Sequence, residues 1–183
     1  ALTAAIKDSA SICPFIGVDE EGGQVARLAF TLGETTDFKA MYPYREGGVA
    51  EARANAAVIG GDIASFGFNQ DFAPVADVWT NEKNTVIGKR AYSSDPDEAA
   101  ALVSAAVEGF KSQNIITTLK HFPGHGDTEG DSHYAAVHST KTLDELRQCE
   151  LKPFASGIAA GAGMVMTGHI TMDEIDPGVP ATL

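Results

Sequence analysis

The chain has little cysteine, little positive charge and no long apolar run. Its two cysteines, Cys13 and Cys149, show no CxxC spacing and no matching histidine pair, which excludes a disulfide framework and a structural zinc site and leaves them as small packing residues. Only 13 Lys+Arg stand against 25 Asp+Glu, giving a formal charge of -12 and a pI near 4.7. With no Lys/Arg cluster against that trend, such a surface repels phosphate backbones and anionic headgroups, so nucleic acid and lipid surfaces are poor partners. No apolar run reaches the ~18 residues of a membrane span, and the opening ALTAAIKDSA lacks the basic head and apolar core of a signal peptide. The chain opens on alanine rather than methionine, so that absence assigns no compartment. Linkers, low-complexity tracts, short repeats and a Gly-rich dinucleotide turn are also missing.

What is present is ordinary for a folded domain: 183 residues, 44% hydrophobic and 21% charged, enough for one substantial core. Short β-branched runs alternate with longer alanine-rich amphipathic stretches, the pattern of successive βα units around a parallel sheet. Strands are expected at Pro14 to Val18, Phe68 to Val78, Asn114 to Leu119 and Gly163 to Ile170, and helices at Glu46 to Ser65, Pro96 to Ser112 and Leu143 to Ala160. Asp95 followed by Pro96 is an N-cap with proline at the first helical position, Thr142 with Glu145 has capping-box spacing, and Pro153 is expected to break the third helix in two. A complete (β/α)8 barrel takes about 250 residues. The fold class expected is therefore α/β, a (β/α)8 TIM barrel present as an incomplete portion of about four βα units. A small doubly wound sheet is the rival architecture.

A polar residue stands at or just beyond each strand: Asp19 after PFIGV, Asp77 within FAPVADV, Lys120 and His121 after IITTL, and His169 within MVMTGHI. Parallel α/β folds place the C-terminal ends of their strands on one face, so these side chains are expected to converge there. The densest motif is KHFPGHGDTEGDSH, Lys120 to His133, whose three glycines and one proline preclude a helix and predict a long functional loop. Gly124, Gly126 and Gly130 suit positions of positive φ or close backbone approach. Asp131 and His133, two apart, can form a dyad in which the carboxylate fixes the imidazole tautomer and raises the basicity of its other nitrogen. In VDEEGGQVAR, Asp19 can accept from sugar hydroxyls and Arg27 can donate or orient Asp19, whereas Glu20 and Glu21 read as a solvated pair or as ligands of the turn. Arg90, in IGKRAYSSD, is the other arginine expected in the pocket. His138 reads as a solvated loop residue, and His169, at a strand end, as lining the pocket in preference to bonding a backbone carbonyl.

Taken together, KHFPGHGDTEGDSH, FIGVDEEGGQVARL, FAPVADV with IGKRAYSSD, and MVMTGHI with DPGVPATL resemble, in the same order and over nearly the whole chain, glycoside hydrolase family 3. The subgroup resembled is the bacterial β-N-acetylglucosaminidases of peptidoglycan recycling, because family 3 β-glucosidases resemble only the KH portion and lack the PGHGD…DSH loop. On this resemblance residues 1–183 are a partial family 3 N-terminal barrel domain. His133 is the implied acid/base with Asp131 its partner, and Asp19, Arg27, Arg90, Lys120 and His121 fall on the family's sugar-binding positions. The implied reaction is retaining hydrolysis of β-N-acetylglucosamine-containing glycosides with no metal or organic cofactor.

The resemblance also implies that the family's nucleophilic aspartate lies beyond Leu183 and that a first strand precedes Ala1. Asp173 and Asp176 come too early for that role, so the 183 residues alone are expected to be inactive. An incomplete barrel exposes strand edges and apolar surface, which favours self-association. A neutral imidazole base does not repel an anionic acceptor, so phosphate is an alternative to water in the second step. Two other readings stand beside this one. The first is a metal-dependent hydrolase with His121, His125, Asp127, Asp131 and His133 as ligands, and the second is a non-catalytic sugar-binding module.

Overall fold

The computed structural model describes residues 2–33, 35–131 and 134–183. In chain order its elements are α1 (Leu2–Ser9), β1 (Gly17–Val18), β2 (Glu20–Gly22), β3 (Val25–Ala26), α2 (Arg27–Leu32), α3 (Gly48–Ser65), β4 (Gln70–Asp71), α4 (Pro96–Ser112), β5 (Ile116–Phe122), β6 (Val137–Ser139), α5 (Leu143–Gln148), α6 (Leu151–Ala160), β7 (Met164–Thr167) and β8 (Ile170–Met172). Strands β1, β4, β5 and β7 form a parallel sheet in that spatial order. Every sheet neighbour is reached by a helical crossover, the sequential arrangement of a (β/α)8 barrel, of which these units are an incomplete portion. β2 and β3 form an antiparallel hairpin at the end of β1, and β6 pairs with β8 in parallel beyond β5 and β7.

Local chemistry sets several of these elements. The Asp95 side chain accepts from the Asp97 and Glu98 amides at 2.9 and 2.8 Å, and Pro96 follows at the first helical position, so α4 starts where its cap dictates. Thr142 and Glu145 complete the capping box of α5. The third helical stretch is indeed two helices, but the break falls at Cys149 and Glu150 rather than at Pro153. A proline ring clashes with the carbonyl four residues earlier, here that of Cys149, while its missing N–H costs nothing in the first turn of α6. Pro153 therefore starts a helix whose predecessor it stops.

The main core lies between the sheet and α3, α4 and α6. Ile63, Val103, Ala106, Val107 and Leu119 are fully buried there. Two glycines permit the close packing: a Cβ on Gly109 would overlap the Arg53 carbonyl of α3, and one on Gly157 would sit 2.8 Å from Leu119. The strand expected over Phe68 to Val78 is only two residues long, because Pro74 has no N–H to donate. The chain nevertheless stays beside β5, where Val75 bridges Lys120 and the Ala76 amide donates to the Lys120 carbonyl at 2.7 Å. That path carries Asp77 to the end of β5.

Candidate active site

Asp19 directly follows β1, and Lys120 and His121 stand near the C-terminal end of β5, so the sheet's parallel register brings them to one end. The Lys120 ammonium is 2.5 Å from Asp19 Oδ1 and 2.6 Å from Glu21 Oε1. Glu21 is also the partner of Arg90, which clamps it with Nη2 at 2.8 Å and Nε at 2.9 Å and donates through Nη1 to the Val86 carbonyl at 2.9 Å. Such bidentate, charge-assisted contacts fix geometry as well as energy. Burial pushes the Glu21 carboxyl up, but the Arg90 bonds and the Lys120 and Arg90 charges outweigh it and hold the group below its ordinary value. In this network Lys120 and Glu21 are only 2% and 3% exposed, while Asp19 is 33% exposed. The open member is a carboxylate.

Asp77, fully buried, organises the neighbouring histidines. Its Oδ2 lies 2.7 Å from His121 Nδ1, and its Oδ1 accepts from the His121 and His125 amides at 3.2 and 2.7 Å. Burial raises the Asp77 carboxyl, but the charge and hydrogen bond of His121 and the two amides overcome it, so Asp77 is ionised. An ionised carboxylate only accepts, so the hydrogen shared between Asp77 and His121 is on Nδ1. His125 is 2% exposed, and burial lowers its pKa against the pull of Asp77. Its Nδ1 lies 2.5 Å from the Thr128 hydroxyl, which donates onward to the His125 carbonyl.

The loop after β5 is built rather than solvated at its start. The Asn84 amide donates to the carbonyls of His125 and Thr128 at 2.6 and 3.1 Å. A Cβ on Gly126 would overlap the Val78 carbonyl, while Gly124 and Gly130 hold φ of 133° and 88°. Asp131 is half-buried, its carbonyl accepts from the Tyr134 and Ala135 amides, and its charge reaches His125. Ser132 and His133 lie outside the described residues.

Other positions differ from the sequence reading. Arg27 is exposed and its guanidinium is paired with no side chain among the described residues; only its backbone amide meets Asp19, at the carbonyl. Glu20 and Glu21 are not solvated but buried, because one caps α2 through the Leu28 and Ala29 amides at 2.8 and 3.1 Å and the other holds Arg90 and Lys120. His169 is exposed and bonds the Thr182 hydroxyl at 2.9 Å, and His138 pairs with Asp173 at 3.0 Å. The sequence reading missed Asp71, a fully buried acid on β4 whose Oδ1 accepts from the Glu20 amide at 3.0 Å. It also gave Asp77 no role. The signal available for both was an acid inside the otherwise uncharged FNQDFAPVADV run, where burial demands a partner. Among the described residues no three His, Cys, Asp or Glu side chains are placed to hold a metal ion. Asp127 instead faces Thr80 at 2.9 Å and Lys141 at 3.0 Å.

Comparison with known proteins gives this arrangement a family. The model of the glycosyl hydrolase family 3 N terminal domain matches residues 1–183. A β-hexosaminidase of Stenotrophomonas maltophilia is 39% identical over 180 residues, covering 96% of this chain and 53% of that protein. β-Hexosaminidase A of Pseudoalteromonas piscicida is 38% identical over 182 residues, covering 96% of this chain and 30% of its own length. This chain thus spans about half, or less, of those relatives. Among solved structures, a glycoside hydrolase family 3 β-N-acetylglucosaminidase from Paenibacillus superposes with a TM-score of 0.93 at 36% identity over 99% of this chain and 35% of that one. NagZ from Neisseria gonorrhoeae, solved in complex with N-trifluoroacetyl-D-glucosamine, superposes at 0.89 with 33% identity over 98% of this chain and 53% of its own. Sequence and fold agree throughout these 183 residues, and the chain belongs to glycosyl hydrolase family 3, as an N-terminal domain of that family.

Proposed function

We propose that these residues supply the sugar-binding side and the acid/base of a retaining β-N-acetylglucosaminidase. The observation that carries this reading is the network of Asp19, Lys120, Glu21 and Arg90, in which the one carboxylate open to solvent is held by a buried cation at the end of β5. A fixed acceptor of this kind suits the hydroxyls of a neutral sugar. Arg27, exposed at the start of α2, approaches the same sugar from the rim.

In the proposed reaction an aspartate, which we place outside these 183 residues, attacks the anomeric carbon and forms a bond to it. The glycosidic C–O bond breaks, and His133, steered by Asp131, gives its proton to the departing oxygen. In the second step His133 removes a proton from water as the water oxygen bonds to the anomeric carbon and the carboxylate leaves. Asp173 and Asp176 are given no part in this reaction, and Asp173 is engaged by His138. The relatives named as β-hexosaminidases and β-N-acetylglucosaminidases support N-acetylglucosamine as the sugar.

The test compares aryl N-acetylglucosaminides of good and poor leaving groups in the complete enzyme that carries these residues. His133→Ala is expected to lower kcat/KM for the phenyl glycoside by about 100- to 10,000-fold and to spare the dinitrophenyl glycoside, whose oxygen needs no proton. A variant that keeps parental kcat/KM on the phenyl substrate ends the acid/base assignment. Running the same assay in phosphate identifies the acceptor, because sugar 1-phosphate forms only where phosphate replaces water. The 183-residue chain by itself is expected to show no turnover.

A further inference from the structure

The loop that follows β5 is held from a second side by residues that the proposed reaction leaves unused. Lys141, just before the Thr142 cap of α5, makes an ion pair with Glu150 and a second with Asp127 at 3.0 Å. Glu150 is 1% exposed, and its other oxygen, Oε2, has no partner among the described residues. It is wedged beneath the loop: a Cβ on Gly124 would lie 2.5 Å from Glu150 Cγ, so only glycine lets the chain pass over it. Asp127 also takes the Thr80 hydroxyl at 2.9 Å, and its carbonyl accepts from the Asn81 amide at 3.3 Å. The tie crosses from the unit after β4, through the loop, to the helices after it.

Ion pairs on a surface contribute little, yet this one has a buried end and a backbone fixed by the capping box. Asp127 stands four residues before Asp131. A tie there removes freedom from the segment that bears the acid/base, and small misplacement of a reacting group is costly in rate.

We infer that Lys141, braced by Glu150, is a positioning residue that holds the acid/base loop in register through Asp127. The inference rests on the assignment of His133 and Asp131 and extends it. Lys141→Met and Asp127→Ala would be compared in the complete enzyme, Asp127→Ala being the arm that leaves the buried Glu150 with its cation. Each is expected to lower kcat/KM for the phenyl glycoside up to about a hundredfold more than for the dinitrophenyl glycoside, because the proton donor is displaced while the sugar site stays intact. The double variant is expected to be no worse than Lys141→Met, and Lys141→Arg is expected to recover most of the loss. Amide deuterium exchange over residues 124–131 should quicken in both single variants. Equal losses on the two substrates, additive losses or unchanged exchange would each overturn the inference. His133→Ala, measured alongside, keeps the two ideas apart. If it shows no leaving-group bias the acid/base assignment fails, and the loop tie is then decided by exchange alone.

Discussion

Glu20 and Glu21 are neighbours of like charge and similar burial, yet the structure gives their side chains such different work that neutralising each has a distinct expected cost. Glu21 is 3% exposed and satisfies both Arg90, bidentately, and Lys120 at 2.6 Å. Removing one partner of a buried ion pair costs about 3–5 kcal/mol, and since the substituted amide would keep one acceptor oxygen and Asp19 still faces Lys120, Glu21→Gln should sit near ~3 kcal/mol. Glu20 accepts two amides in the first turn of α2, so Glu20→Gln loses part of a cap, about 1 kcal/mol. With a urea slope of about 1–3 kcal/mol per molar, the midpoint should fall by roughly 1–3 M for Glu21→Gln and by about a third of that for Glu20→Gln. The pH dependence adds a signature. Because the folded-state pKa of Glu21 is depressed, its stabilisation is present above the unfolded value of 4.5 and is lost as pH falls through the folded value. The gap between parent and Glu21→Gln should therefore be full at neutral pH and close in acid. Equal midpoint shifts for the two variants, or a gap that persists in strong acid, would refute the reasoning.

Asp71 should behave in the opposite sense. Burial pushes its carboxyl well above the ordinary range despite the Glu20 amide and the Lys120 charge, so its contribution is present below the unfolded pKa and lost as pH rises through the folded one. Asp71→Asn should match the parent in acid and exceed it in alkali, read as urea midpoints across pH; a variant weaker at every pH would count against this. Gly126→Ala should displace the loop from the Val78 carbonyl, costing about 1–3 kcal/mol and lowering kcat/KM. Gly130→Ala, with open space but positive φ, should cost only about 1 kcal/mol in the same melts.

The parts of the fold that could be read from sequence are those with local causes. The α4 start at Asp95 and Pro96, the Thr142 box of α5 and the four sheet strands each rest on residues within a few positions of one another. The pairs β2 with β3 and β6 with β8 escaped because strands of two or three residues carry no usable alternation. At the site, Lys120, His121 and Asp19 were visible because they stand where parallel strands end. Glu21 was not, since the arginine that gives it meaning is 69 positions away and meets it only in the folded chain. The Asp19 and Arg27 pairing failed for a related reason: Arg27 opens α2, whose axis carries its side chain outward, and Lys120 takes the place at Asp19 instead.

These placements also account for how so acidic a chain forms a face suited to a neutral ligand. Burial pushes the Asp71 carboxyl well above its ordinary range and so toward its neutral form, Asp77 is committed to His121 and to two amides, and Glu21 is neutralised between Arg90 and Lys120. What remains toward solvent in this network is the carboxylate of Asp19, already tethered to Lys120. Such a face accepts hydrogen bonds from hydroxyls while repelling an anion placed directly on it. A negatively charged ligand placed at the strand ends would therefore meet the Asp19 carboxylate, whereas the hydroxyls of a neutral one would meet an acceptor already held in place by Lys120.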